Sequence, residues 1–321
     1  MIIVLGTTTV DLFLSGLDHM PVPDGDEFTS DNFAFCSAPT TVTLGGNGAN
    51  TAYVLGQLGS APSLCSAIGR DVFGSVVEKW LDETGVRTDE LIRSDTDATA
   101  TTVVISDENN NRQSFHHAGA TATFARDDVT EAYFAQADLL LVTGYQLLRG
   151  WRPGGMAQAL RQACDAGTTT LLDIGPAIDD PPTLDELAPL LPDVTYLLTN
   201  AYELRTCSGH PDLYEAARAV LQAGAQRVIV KRGADGADLH APHRSPETIP
   251  GFDVDVHTTV GAGDAFNAGL MYRLRQNVAL PEALRFANAT AASVVSSAEG
   301  VLGAPDAPAV EQFLQRASVA E

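Results

Sequence analysis

The chain has 321 residues, 45% of them hydrophobic and 19% charged, with a net charge of −22. This composition excludes a disordered chain and allows a large core, and the length alone suggests about two domains. The acidic balance has no local basic patch to offset it, which argues against binding to nucleic acid or to an acidic membrane surface.

No apolar run approaches the roughly 20 residues that span a bilayer. The opening Met1-Ile2-Ile3-Val4-Leu5-Gly6 is too short and lacks the basic flank of a signal peptide. A cytoplasmic location is therefore expected. Cys36, Cys65, Cys164 and Cys207 are widely spaced, form no C-x-x-C pair and read as buried free thiols. The histidines make no metal pattern: His116 and His117 are adjacent, and His240 and His243 sit in a proline-bounded loop. Only Lys79 and Lys231 are lysines among 19 basic residues, which fits either a high-salt habitat or an arginine-preferring, GC-rich genome.

Ile2 to Leu5 predicts a buried strand, and Asp11 follows just past its end. Ligands of open α/β sheets collect there, although an Asp in an Asx-turn gives the same pattern. From Phe13 to Thr43 the chain changes character: Pro21-Val22-Pro23-Asp24-Gly25 reads as a turn, and Phe28, Phe33 and Phe35 alternate with polar residues. This predicts a small antiparallel piece apart from the main sheet. Gly45-Gly46-Asn47-Gly48-Ala49-Asn50 then opens a helix reaching about Leu58, and glycines there permit close approach of a ligand. The run is neither a Rossmann fingerprint nor a P-loop.

A strand over 64–68 and a helix over 72–83 come next. Two strand-like runs, 101–106 and 112–117, flank Asp107-Glu108-Asn109-Asn110-Asn111, a strong hairpin signal. Beyond residue 120, apolar runs at 139–143, 170–174, 195–199 and 228–231 alternate with helical stretches such as 154–166 and 213–223, which predicts a parallel sheet with helices on both faces. Helices over 282–297 and 307–319 close the chain.

One further stretch stands out. Val254 to Thr258 reads as a short alternating strand, Gly261-Ala262-Gly263 as a turn, and Asp264 onward as a helix. Such a helix start gathers unpaired N–H groups and the positive end of the dipole, so it binds anions. A carboxylate at that place is either a helix N-cap or part of a reaction.

The motifs together resemble the ribokinase-like (PfkB) carbohydrate kinases over essentially the whole length. They are Asp11, the Gly-Gly-x-Gly-Ala-Asn run at 45–50, Gly69-Arg70-Asp71-x-x-Gly74, Asn200-Ala201-Tyr202-Glu203, Lys231-Arg232-Gly233-Ala234-Asp235-Gly236 and Thr259-Val260-Gly261-Ala262-Gly263-Asp264. The resemblance implies a Rossmann-like, mostly parallel sheet flanked by helices, formed by 1–12, 44–97 and 119–321. Residues 13–43 and 98–118 would form a small β lid that closes over the substrate and excludes water.

The implied chemistry is ATP-dependent phosphorylation of a hydroxyl. Asp264 would be the general base, and the N–H groups of Gly261, Ala262 and Gly263 the anion hole. Asp11, Gly45, Gly46 and Asn50 would hold the sugar. Asn200, Glu203, Lys231, Gly233, Gly236 and Asn288 would serve the nucleotide, with Glu203 reaching Mg²⁺ through water. Asn200 and Glu203 could equally be an N-cap and its N3 partner. A homodimer through the lid is implied.

There are departures from the pattern. Thr258 stands where many relatives have an Asp that helps bind potassium, which puts monovalent-cation activation in question while leaving backbone carbonyls able to coordinate. Asn47 stands where ribokinases proper commonly have Lys, and no glutamate near 139–144 matches their sugar ligand. Residues 13–44 hold no Lys or Arg and 98–119 only Arg112, so the expected acceptor is a neutral sugar. The lid phenylalanines keep a nucleoside open, by stacking on a base, or else form the core of the small sheet. A sugar-binding sensor without catalysis is the reading from another class.

Overall fold

Short, continuously apolar runs such as Ile2–Leu5 and Leu139–Thr143 suit strands buried on both faces, and the main sheet is built from them. The computed structural model describes residues 1–21, 30–107, 112–130, 132–152, 154–178 and 180–317. Thirteen strands run in chain order: β1 (Ile2–Leu5), β2 (Thr9–Leu17), β3 (Thr41–Gly45), β4 (Ser63–Gly69), β5 (Leu91–Ser94), β6 (Ala100–Asp107) and β7 (Arg112–His117), then β8 (Leu139–Thr143), β9 (Thr169–Asp173), β10 (Tyr196–Asn200), β11 (Val228–Lys231), β12 (Ala237–His240) and β13 (Glu247–Ile249).

Nine of them form one sheet in the order β13-β12-β11-β10-β9-β8-β1-β4-β5. It is parallel except for the two antiparallel pairs at the β13 edge. The other four form a separate sheet, β3-β2-β6-β7.

One face of the large sheet is covered by α1 (Asn47–Gln57) and α2 (Val72–Glu83), and by α8 (Ala262–Arg275), α9 (Leu280–Val295) and α10 (Ala307–Arg316). The other face is covered by α3 (Ala120–Thr123), α4 (Gly154–Asp165), α5 (Leu184–Leu187), α6 (Ala201–Ser208) and α7 (Leu213–Gln222). Each face has its own apolar core. Strand order reverses at β1, which has β4 on one side and β8 on the other. Such a reversal opens a crevice at the carboxyl ends of the strands, and the site lies there.

Three expectations need correcting. The lid strand begins at Thr9, ahead of the 12/13 boundary, so Asp11 belongs to the small sheet, opposite Thr43 and Thr102, and not to a loop of the large one. The small sheet is also not purely antiparallel, because β2 and β6 run parallel. Residues 254–258 form no strand: the N–H groups of His257 and Thr258 both turn to the carbonyl of Val295, at 2.8 and 3.2 Å. The segment docks on the end of α9 instead of joining the sheet. The turn expected from Val22 to Gly25, Phe28 and the loop 108–111 lie outside the described residues.

Candidate active site

The N-cap of α8 is Gly261, at φ +79°, a conformation in which an added Cβ would also collide with Val301. Asp264 is therefore not the N-cap. It sits in the first turn of the helix, 6% exposed, and its own oxygens are bonded by two amides. Asn47 Nδ2 donates to Oδ1 at 3.1 Å, and Asn50 Nδ2 donates to Oδ2 at 2.9 Å. Both asparagines come from the first turn of α1, so the helix opened by the glycine run holds the carboxylate of α8. Asn47 was not singled out in the sequence except as a departure, and its spacing of three from Asn50 was the available signal.

Burial is the main reason that the Asp264 carboxyl is pushed up to about 7. The two amides and Lys231 oppose that rise, and Asp173 adds to it. A carboxylate poised near neutrality can accept a proton and release it again. The first-turn N–H groups of α8 come too early in the helix to have an intrahelical acceptor, and the Ala262 N–H leans back to the Thr259 carbonyl at 3.4 Å.

Behind this turn, Lys231 at the end of β11 donates to Asp173 Oδ2 at 2.8 Å and to Asn267 Oδ1 at 3.5 Å. Asn267, one turn along α8, also donates to Asp173. A Cβ added at Gly263 would lie 3.3 Å from Lys231 Nζ, so the cation underlies the helix start. Burial works against the Lys231 charge, and Asp173 and Glu203 more than offset it, which leaves the ammonium above its ordinary range. Asp173 and Asn267 went unrecognised in the sequence, because an Asp closing an apolar strand carries no motif.

Asp11 faces this arrangement from the lid. Burial pushes its carboxyl up to about 6, against a hydrogen bond from Thr102, and Oδ1 has no partner among the described residues. A Cβ at Gly45 would overlap that carboxylate, so only glycine lets β3 pass it. Asn200 and Glu203 make a reciprocal capping box at the start of α6, with Glu203 N donating to Asn200 Oδ1 at 2.9 Å and Asn200 N to Glu203 Oε2 at 2.8 Å. Both nonetheless line the cleft, and burial raises the Glu203 carboxyl.

A single cleft of about 1030 Å³ contains Asp11, Gly46, Asn50, Asn200, Glu203, Lys231, Gly233, Gly261, Gly263 and Asp264. Four sequence-expected residues are absent from its wall: Gly45, Ala262, Gly236 and Asn288. Gly236 packs against the Ile249 carbonyl, and Asn288 ties α9 to the carbonyls of Ile249 and Pro250. Both have structural work that accounts for them. Phe33 and Phe35 are also absent from the wall. They are 51% and 70% exposed and stack edge to face, so they neither line the cleft nor fill a core.

A buried carboxylate in the first turn of a helix thus shares one cleft with a second carboxylate from the small sheet. The profile of the pfkB family carbohydrate kinases matches residues 36–307. The chain belongs to that family. As a PfkB-family member it is an ATP-dependent carbohydrate kinase.

It is 31% identical over 270 residues to the ATP-dependent ribose-1-phosphate kinase of Halopiger xanaduensis, covering 84% of this chain and 86% of that one. It is 26% identical over 319 residues to the ribokinase of Haemophilus influenzae, covering 98% of each. Arabidopsis thaliana ribokinase, in a structure with ribose and ATP, superposes with a TM-score of 0.83 at 24% identity, covering 98% of both chains. The PfkB fold is thus the one expected from the motifs. No helix among the described residues is long and apolar enough to cross a membrane.

Proposed function

We propose that this kinase transfers the γ-phosphoryl group of ATP to a hydroxyl of a small sugar, with Asp264 taking the hydroxyl proton. The observation that carries the reading is the buried Asp264 carboxylate, fixed by Asn47 and Asn50 and set within the first turn of α8. The same turn offers its N–H groups to the transferring oxygens, so base and anion hole act on neighbouring atoms. Asp11, with an unpartnered buried oxygen, accepts hydrogen bonds from the sugar, beside Gly45 and Gly46. Asn50 contributes by aiming the base.

Lys231 and Gly233 serve the phosphates of the nucleotide. The buried Glu203 suits magnesium, an ion that keeps most of its water and needs only one or two protein carboxylates. Bound there, the ion would neutralise charge on the phosphates. Gly236 and Asn288 shape the nucleotide edge from behind. The exposed phenylalanines give no support to a nucleoside stacked under the lid.

Exposed Phe33, Phe35, Val42 and Phe115 put an apolar patch on the small sheet, which supports a homodimer through the lid. A cytoplasmic setting completes the proposal and agrees with four unpaired cysteines.

The test is ADP release across a panel of sugars with wild type and Asp264→Asn. We expect turnover in wild type and a loss of about 10²- to 10⁴-fold in kcat for the variant, the range of general-base catalysis. Sugar binding without turnover in wild type would mark a sensor instead, and turnover that survived the substitution would remove Asp264 from the role of base.

A further inference from the structure

A second groove lies away from the catalytic cleft, where the hairpin joining β12 to β13 meets α7. It holds about 700 Å³ and shares no residue with the cleft. His240 in its wall pairs with Val228 at the start of β11, whereas Lys231 in the cleft closes the same strand. The two hollows therefore sit at opposite ends of β11.

The groove is built by alternation on one side and helical spacing on the other. Ala237 and Leu239 of β12 pack into the core on the α8–α10 side, so the strand turns His240 toward α7. Tyr214, Arg218 and Gln222 recur every four residues along α7, on a face other than that of the buried Ala216, Ala217 and Val220. His240 is 6% exposed, and its Nε2 is buried without a hydrogen-bond partner among the described residues. An unpaired polar atom at such depth calls for a partner from outside the chain. Burial holds the His240 imidazole below its ordinary range, against the pull of Asp238, so a nitrogen of the neutral ring can donate.

The hairpin brings His243 and Arg244 to the rim, both exposed and neither with a side-chain hydrogen bond or ion pair among the described residues. Arg218 is already held by Glu215 and adds no free donor to this count. Among the described residues no Asp or Glu lines the groove, although the chain carries a net charge of −22. Two imidazoles without a carboxylate do not suit a metal ion, and no group of metal-binding side chains occurs among the described residues. An anion suits them better.

We infer that this groove is a second small-molecule site, which takes a phosphate monoester of an aromatic body. The phosphate lies between the Arg244 guanidinium and the buried His240 Nε2, and the ring lies against Tyr214 and Pro242. A guanidinium fork gives the phosphate two charge-assisted hydrogen bonds, and the imidazole gives it a donor shielded from water. The inference does not depend on the kinase reading, since no residue is common to the two sites.

The experiment titrates phenyl phosphate into the full chain by calorimetry, with the catalytic cleft filled by a non-hydrolysable ATP analogue. One equivalent should bind, more tightly than inorganic phosphate or benzoate. Arg244→Gln and His240→Phe should each weaken binding about 10-fold. Arg244→Gln, at an exposed position, decides the matter even if His240→Phe fails to fold. Absence of binding at millimolar phenyl phosphate, or an affinity unmoved by Arg244→Gln, would overturn the inference. Inorganic phosphate bound as tightly would remove the ring from it, and benzoate bound as tightly would remove the phosphate; either result overturns it as well.

Discussion

The two walls of the cleft are built on opposite terms. On the floor, every ionised group is buried and tied down: Asp264 by two asparagines, Asp173 by Lys231 and Asn267, Glu203 by the capping box. On the lid, the strands are only half covered, Asp11 keeps an oxygen without a partner, and phenylalanines point outward. A wall with all its bonds made has one geometry, as chemistry requires. A wall with bonds still to make waits for a ligand. On the function proposed above, the floor would carry the reaction and the lid, through Asp11, would help to choose the substrate.

The contrast is most easily broken at Lys231. Lys231→Met leaves Asp173 and Glu203 together with no cation between them, and truncating one member of a buried ionic group costs about 3–5 kcal/mol. Chemical denaturation should show that loss, and a change under about 1 kcal/mol would mean the floor is less interlocked than its bonds indicate.

A smaller effect is expected at the amides that hold the base. Their hydrogen bonds favour the ionised Asp264, so removing one raises its pKa from about 7. In the proposed role of base Asp264 would work ionised, so activity would fall as pH drops through that pKa. Asn50→Ala should therefore move the acid limb of the kcat/KM profile to higher pH, with the loss greatest below neutrality. An unmoved limb would separate Asn50 from the base.

The smallest effect belongs to the outer face of the lid. Phe35→Ser removes an exposed side chain, so monomer stability should stay within about 0.5 kcal/mol. Sedimentation should show weaker self-association, and an unchanged association state would exclude that face as the contact.

Much of the floor could be read from the chain because its elements are local. Runs such as Leu139–Thr143 and Val72–Glu83 fall within a residue of the structure, since apolar period and glycine stops fix them without help from distant partners. Asp264 was singled out through the family resemblance, since the glycine turn alone fitted a helix N-cap as well, a place that the structure gives to Gly261.

What escaped depends on long-range contact. Asn47 and Asn50 reach Asp264 across more than two hundred residues, and Asp173 meets Lys231 only because β9 and β11 flank β10. The strand expected over 254–258 failed for a similar reason: alternation sets a preference, but the end of α9 offered those amides an acceptor first. Gly236 closes a family motif and Asn288 was expected near the nucleotide from the resemblance, yet both pack against backbone carbonyls outside the cleft wall.

The junction between the two sheets has a mechanical consequence. Thr7 is pinned to the start of α1, its hydroxyl accepting from Asn47 N at 3.2 Å and its carbonyl from Ala49 N at 3.1 Å. Asp11 stands four residues farther on, along β2. At about 3.3 Å per residue that is an arm of roughly 13 Å, so a lid rotation of about 10° about Thr7 displaces Asp11 by only about 2 Å. The outer strand β7, at the rim of the small sheet, has the longer arm and sweeps the larger arc. A small sheet that turned about Thr7 would therefore move Asp11 least and its rim most.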